Sequence, residues 1–343
     1  MTASRNNMIP MKKILAAITA LAAAVMLSGC SGGTKAPAEP LDVDLAPEYE
    51  QGCVTPPFWV VEDKQTGAQI FLLGSFHAGK ADVSYPGYVL DALSNSSWAA
   101  AELDTVAFGG NIALQRKCIS YITLTGTTAA DCIGDSYDDT ADYFRSKGIY
   151  QPVMEKMTPF YWASAANALI FEQTGLNTDL GTETLLLNYA KERHIEIREI
   201  EGAEAQYKMM GEIPMNVQLE LLAQCVGDEN ITAQADSAVE LYEAWSSFDE
   251  DYLSGLTVFD PDTVADPDSW QAYYDMMYTD RQALMAEFIT DSLKAGELGF
   301  VFVGTLHYYA EPSVITLLER SGYEVKKVCP EHSAAENDSL PAA

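Results

Sequence analysis

The residues with the clearest chemical potential are two histidines, each three positions after a glycine. His77 follows Gly74 and His307 follows Gly304, and the segment before each glycine is apolar. A third apolar segment ends near a carboxylate, Glu102. Imidazole is a common ligand of zinc, manganese, cobalt and iron. Two imidazoles and one carboxylate can hold a divalent ion and leave an open position for water, whose pKa the ion lowers.

The two histidines could instead cap strand ends and hydrogen-bond the backbone. A single Gly-x-x-His motif is weak evidence for a site, but two equivalent copies in a chain with only four His favour a shared role. The sequence therefore predicts that His77, Glu102 and His307 bind one divalent ion, either Mn, Co or Zn.

For these side chains to meet, the segments that carry them must be strands of one sheet. Ile70–Leu73 and Phe300–Val303 are wholly apolar, which is typical of strands buried on both faces. Each is followed by a loop, a helix and another strand, at Trp98–Leu103 in the first half and Tyr323–Val328 in the second. Such units build parallel sheets, whose ligands gather at the carboxyl ends of the strands. We therefore expect an α/β fold with a central, largely parallel or mixed sheet built from two similar strand-loop-helix-strand halves.

The remaining elements surround this core. Phe58–Glu62 and Gln69–Gly74 are predicted to form a hairpin, because turn-forming residues separate two strand-like runs. Helical periodicity dominates from about residue 105 to 295, interrupted by a short strand within Ile195–Ile200. The sequence thus predicts a large helical insertion between the two halves.

The N-terminus has the pattern of a secretion signal. A basic stretch precedes an apolar run, Ile14–Met26, and then Leu27–Cys30, which resembles the lipobox that bacteria cleave and acylate. We expect cleavage before Cys30, lipidation of its thiol and an extracytoplasmic protein that contacts the membrane only through this anchor. An uncleaved anchor helix and an ordinary soluble signal are the alternatives.

Composition sets the boundaries of the folded part. Residues 1–30 form the signal, 31–51 are rich in Gly, Pro and Ala as in flexible linkers, and 330–343 form a polar tail. One domain, 52–329, is expected between them. The formal net charge of −30 argues against a nucleic-acid partner.

Five cysteines follow Cys30, an odd number in a compartment where disulfides persist. Cys118 and Cys132 are the first candidate pair, because they lie close together in one helical segment. No Cys-x-x-Cys motif occurs, which excludes a zinc ribbon and a thioredoxin-like site.

The chain resembles the TraB/GumN family, to which the Tiki metalloproteases are related, over roughly residues 52–329. The resemblance rests on the two Gly-x-x-His motifs and on further blocks: Ala101–Leu103, Ile200–Gln206, Asp280–Gln282 and Leu318–Val328. The chain departs from the family where Tyr308–Glu311 follows the second motif and where Gly202-Ala203 replaces a common Thr. These departures affect the expected substrate shape more than the metal ligands.

The resemblance implies a divalent-metal hydrolase, a peptidase acting on a peptide or protein substrate. In that scheme His77 and His307 are ligands and Glu102 the third. Glu201 would support the ligands or act as general base, and Arg281 would bind a substrate carboxylate or stabilise an oxyanion. An ordinary salt bridge is the alternative for Glu201 and Arg281. The alternative function is a non-catalytic lipoprotein that binds haem, a metal or a signalling peptide.

Overall fold

The computed structural model describes residues 40–256 and 260–330. Cys30 and the predicted signal, residues 31–39 of the predicted linker and the tail beyond Pro330 lie outside the described residues. None of the helices within the described part combines the length and apolar character needed to cross a membrane.

The core of the protein is one mixed sheet of six strands in the order β4-β3-β5-β2-β1-β6. The strands are β1 Phe58–Asp63, β2 Ala68–Ser75, β3 Trp98–Ala101, β4 Glu196–Glu199, β5 Leu298–Gly304 and β6 Val325–Lys327. The neighbours β4, β3, β5 and β2 are parallel, whereas β1 pairs antiparallel with both β2 and β6. The predicted α/β fold with a largely parallel or mixed sheet is confirmed.

The helices pack around this sheet, and most of them lie in the predicted insertion between β3 and β5. They are α1 Gly87–Asn95, α2 Thr105–Gly110, α3 Ile112–Tyr121, α4 Ala129–Ile133, α5 Tyr137–Ser146, α6 Pro159–Ala165, α7 Asn167–Thr174, α8 Thr182–Glu192, α9 Ala203–Glu212, α10 Met215–Ala223, α11 Asp228–Ser246, α12 Glu250–Ser254, α13 Pro267–Tyr274, α14 Asp280–Lys294 and α15 Val314–Arg320. A π-helical segment, Asp275–Thr279, joins α13 to α14. Such segments often occur at functional sites.

The side chains of the central strands point alternately to the two faces of the sheet, and each face carries its own apolar core. On β5, Val301 and Val303 pack on one face with residues of α11, α14 and α15, while Phe300 and Phe302 pack on the other with residues of α1 and α8. Successive side chains of a strand point to opposite faces, so an all-apolar strand can serve both layers. The helices of the insertion form a third apolar cluster of their own.

One glycine on β5 permits the close approach of β3. A Cβ on Gly299 would lie 2.2 Å from the indole of Trp98, its partner across the strand pair. The ring of Trp98 therefore occupies the place that the Cβ of any residue other than glycine would take at position 299.

Candidate functional site

The two Gly-x-x-His motifs end neighbouring strands. β2 and β5 are parallel, and their register pairs Ser75 with Gly304. His77 follows β2, and His307 lies in a short 3₁₀ turn, Thr305–Tyr308, after β5. The hydroxyl of Thr305 donates to the carbonyl of Ser75 at 2.9 Å, which ties the two loops together. Both motifs thus reach the same edge of the sheet, as their repetition predicted.

Glu102 comes directly after β3, the other neighbour of β5. Around Gly304 the three predicted ligands converge. A Cβ built on this glycine would lie 3.3 Å from Glu102 Oε1, 3.7 Å from His307 Cδ2 and 3.8 Å from His77 Nε2. All three side chains therefore lie within 4 Å of one point, and the missing side chain of Gly304 leaves that point free.

The carboxylate of Glu102 is held by several donors. Its Oε1 accepts the backbone N–H of Gly304 at 2.8 Å, and its Oε2 accepts from Arg281 Nη2 at 2.5 Å and from Gln206 Nε2 at 3.1 Å. Burial raises the pKa of Glu102, but Arg281 and then His307 and His77 outweigh this and lower it to about 2. Glu102 is therefore an anion at neutral pH.

Arg281 and Glu201 form a buried ion pair behind Glu102. Arg281 Nε donates to Glu201 Oε1 at 2.7 Å and its Nη2 to Glu201 Oε2 at 2.9 Å. Gln206 also donates to Glu201, at 2.7 Å. Burial lowers the pKa of Arg281, but the attraction of Glu102 and Glu201 raises it by more, so the guanidinium stays charged. For Arg281 and Glu201 the sequence left open a catalytic role or an ordinary salt bridge. The structure shows the salt bridge, because the guanidinium binds the carboxylates of both Glu102 and Glu201.

The two histidines have opposite electrostatic surroundings. Burial lowers the pKa of His77, but Glu183, whose Oε1 lies 2.9 Å from His77 Nδ1, raises it to about 9. Burial and the nearby Arg281 lower the pKa of His307 to about 3. His307 is therefore a neutral imidazole at pH 7. Its Nε2 lies 3.6 Å from Glu102 Oε1, and its buried Nδ1 has no hydrogen-bond partner among the residues that the structure describes.

No sequence pattern pointed to Glu183 as a site residue. It belongs to the first turn of α8 and lies more than a hundred positions after His77. Its only local signal is a carboxylate following Gly181-Thr182 at a helix start, a pattern that ordinary helix termini share.

A cavity of about 800 Å³, counting the part open to solvent, lies over these residues. His77, Glu102, Arg281 and His307 form its polar side. Its apolar walls include Phe171, Met209, Met210, Leu241, Met277 and Leu306. Glu201 does not line the cavity, because it lies on the far side of Arg281.

Within the two described ranges, no group of three or more His, Cys, Asp and Glu side chains is already arranged as a metal-binding group. His307 and Glu102 approach each other, whereas His77 uses its Nδ1 for Glu183. Metal binding by the three residues therefore stays a prediction.

All five described cysteines are free thiols. Cys118 is buried in α3, near Tyr207 of α9, while Cys132 in α4 is partly exposed. Burial, with a smaller effect from Glu204, raises the pKa of Cys118. The disulfide between Cys118 and Cys132 is not formed in the structure, and the pairing stays a prediction.

No curated protein and no solved structure matches the chain significantly. The model of one family, described as the TraB/PrgY/gumN family, matches residues 57–327. This range contains all six strands, both Gly-x-x-His motifs and the side chains that gather around Gly304. Because the match covers most of the chain, the protein belongs to the TraB/PrgY/gumN family.

Proposed function

We propose that this protein is a divalent-metal hydrolase, acting as a peptidase, with His77, Glu102 and His307 as the metal ligands. The observation that carries the proposal is the convergence of these three side chains within 4 Å of one point at the carboxyl ends of β2, β3 and β5. They come from three separate parts of the chain, at positions 77, 102 and 307.

The donor set suits a metal ion. Two ligand atoms about 2.1 Å from one tetrahedral ion lie roughly 3.4 Å apart. His307 Nε2 and Glu102 Oε1 are 3.6 Å apart, so they need little movement. At pH 7 His307 is neutral and Glu102 is an anion, which are the protonation states that ligands require, whereas His77, whose pKa is raised to about 9, must release a proton when it binds the ion. A bound divalent ion would supply an activated water and polarise a carbonyl group.

The surrounding residues have supporting roles in this proposal. Arg281 and Gln206 orient the carboxylate of Glu102 so that its Oε1 faces His307. The apolar walls of the cavity would exclude water and accept an apolar side chain of a peptide beside the polar groups. We place the protein outside the cytoplasm on a lipid anchor at Cys30, on the basis of the basic, apolar and Leu-Ser-Gly-Cys order of its N-terminus.

The test is metal analysis followed by peptide cleavage with and without a chelator. We expect the purified protein to hold about one equivalent of Mn, Co or Zn, and His77→Ala or His307→Ala to lose it while the fold stays intact. His194→Asn is the matched control, because His194 ends a helix at φ 58°, where Asn is tolerated. No bound metal in the wild type, or equal metal content in all variants, would contradict the proposal.

One observation favours a second candidate, a non-catalytic protein that binds haem, a metal or a signalling peptide. Among the described residues that line the cavity, Glu102 is the one carboxylate; Arg281, Gln206 and Gly304 donate to its oxygens, and the lone pair left on Oε1 is the one that a metal would take. No lining carboxylate is left as an evident general base. Stoichiometric binding of metal or peptide without any chelator-sensitive cleavage would support this candidate instead.

A further inference from the structure

The first turn of α8 is fitted closely against the loop that carries His77. The backbone N–H of Thr182 donates to the carbonyl of Phe76 at 2.9 Å, and the N–H of Phe76 donates to Thr182 Oγ1 at 3.0 Å. A Cβ on Gly181 would lie 2.5 Å from the carbonyl oxygen of His77, so this approach requires glycine. The position of α8 relative to His77 is therefore determined by backbone contacts.

These contacts place the carboxylate of Glu183 beside His77. The Glu183 side chain is 12% exposed, and its Oε1 lies 2.9 Å from His77 Nδ1 and accepts from Ser75 Oγ at 2.5 Å. The positive end of the helix dipole and the neighbouring imidazole both favour the ionised form. Burial opposes ionisation, but His77 and then Ser75 lower the pKa of Glu183 overall.

A carboxylate can only accept hydrogen bonds, so the nitrogen that faces it must carry the proton. When His77 is neutral, its Nδ1 is then protonated and its Nε2 holds the lone pair. Nε2 lies on the side of the ring that faces Gly304, Glu102 and His307.

We infer that Glu183 is the positioning residue of His77: it fixes the orientation and tautomer of the imidazole, with Nε2 directed at the point where Glu102 and His307 meet. An outer carboxylate of this kind fixes a metal-bound histidine and raises its basicity. The same arrangement also suits a histidine that accepts a proton. The effect on metal affinity rests on the proposed function, whereas the tautomer does not.

The first test compares Glu183→Gln with wild type in titrations with Mn²⁺, Co²⁺ and Zn²⁺, using the full chain. Loss of an outer partner typically lowers metal affinity about 10- to 100-fold, and we expect a loss in that range. Glu192→Gln is the matched control, because it makes the same change at the other end of α8, where the side chain is 76% exposed. Should Glu183→Gln fail to fold, Glu183→Asp retains the charge and should show a smaller loss.

The second test reads the tautomer of His77 directly by NMR of the chain labelled with ¹⁵N-histidine. The chain has four His, and the signal of His77 is the one that His77→Asn removes. In alkaline buffer above the His77 pKa of about 9, wild type should show the Nδ1-protonated tautomer. Glu183→Gln should populate both tautomers, because an amide can face Nδ1 with its oxygen or its nitrogen.

The two tests separate the inference from the proposed function. If wild type binds no divalent ion, the proposed function fails, and the tautomer alone decides the role of Glu183. If wild type binds metal but Glu183→Gln keeps the same affinity and the single Nδ1-protonated tautomer, the positioning role is wrong and the proposed function stands.

Discussion

Replacing Arg281 with Met should destabilise the protein strongly at neutral pH. The side chains of Arg281, Glu102 and Glu201 are 11%, 9% and 5% exposed, respectively. Arg281 donates to both carboxylates, and Met fills a similar volume without any donor. The substitution therefore leaves two buried carboxylates without their common cation.

The expected loss in the free energy of unfolding is several kcal/mol. Removing one partner from a buried ion pair costs about 3–5 kcal/mol, because the remaining charge stays desolvated. The lowering of the Glu102 pKa from 4.5 to about 2 corresponds to about 3 kcal/mol, to which Arg281 is the largest favourable contributor. For a domain of this size, a loss of 3–5 kcal/mol lowers Tm by roughly 6–20 °C.

The pH dependence follows from the direction of the pKa shift. Glu102 has a lower pKa in the folded state, so its stabilising contribution is complete above its unfolded value of 4.5 and is lost as pH falls towards about 2. In the Met variant, acid instead neutralises a carboxylate that has lost its partner. The stability difference between wild type and Arg281→Met should therefore narrow as pH falls from neutral, first above about 4.5, where the unpaired buried carboxylate of the variant takes up a proton, and then below 4.5, where wild type loses the contribution of Glu102.

Urea unfolding of both proteins at pH 7.5 and pH 4 measures these effects. Arg198→Met is the matched control, since Arg198 also pairs with two glutamates but is 28% exposed, and it should cost only about 1 kcal/mol. Adding Glu201→Gln to Arg281→Met should recover part of the loss, because one buried charge is removed. A loss below about 1 kcal/mol at pH 7.5, or a loss that grows towards acid, would refute the argument.

Three further predictions concern other parts of the chain. Cys30→Ala should release the protein from membranes or block its processing, and unchanged lipid labelling would contradict lipidation at that position. Mass mapping of the protein purified under oxidising conditions should find Cys118 joined to Cys132, a link worth about 3 kcal/mol in the chain-entropy model; two free thiols would exclude it. Gly299→Ala should lower the free energy of unfolding by about 1–3 kcal/mol, because its methyl carbon would lie 2.2 Å from Trp98. Thermal unfolding measures this, and a variant with the Tm of wild type would show that β3 adjusts freely.

Much of the sheet could be predicted from local patterns. Ile70–Leu73 and Phe300–Val303 lie in β2 and β5, and both strands are buried on both faces, as their unbroken apolar runs indicated. The hairpin of β1 and β2 and the short strand β4 also lie where strand-like residues occur. The strand expected at Trp98–Leu103 ends earlier, at Ala101, and the carboxylate of the next residue, Glu102, accepts from Gly304 and Arg281.

The sequence by itself determined the fold class and the three side chains that meet at one edge of the sheet. Strand periodicity is local, and a repeated Gly-x-x-His after equivalent strands predicts proximity once the strands are known to be parallel. Only the tertiary structure decided which groups surround those side chains. Glu183 reaches His77 because Gly181 lets α8 approach the loop, and Arg281 reaches Glu102 and Glu201 from α14. Contacts between residues 80 or more positions apart depend on how the layers pack, and no local pattern predicts that packing.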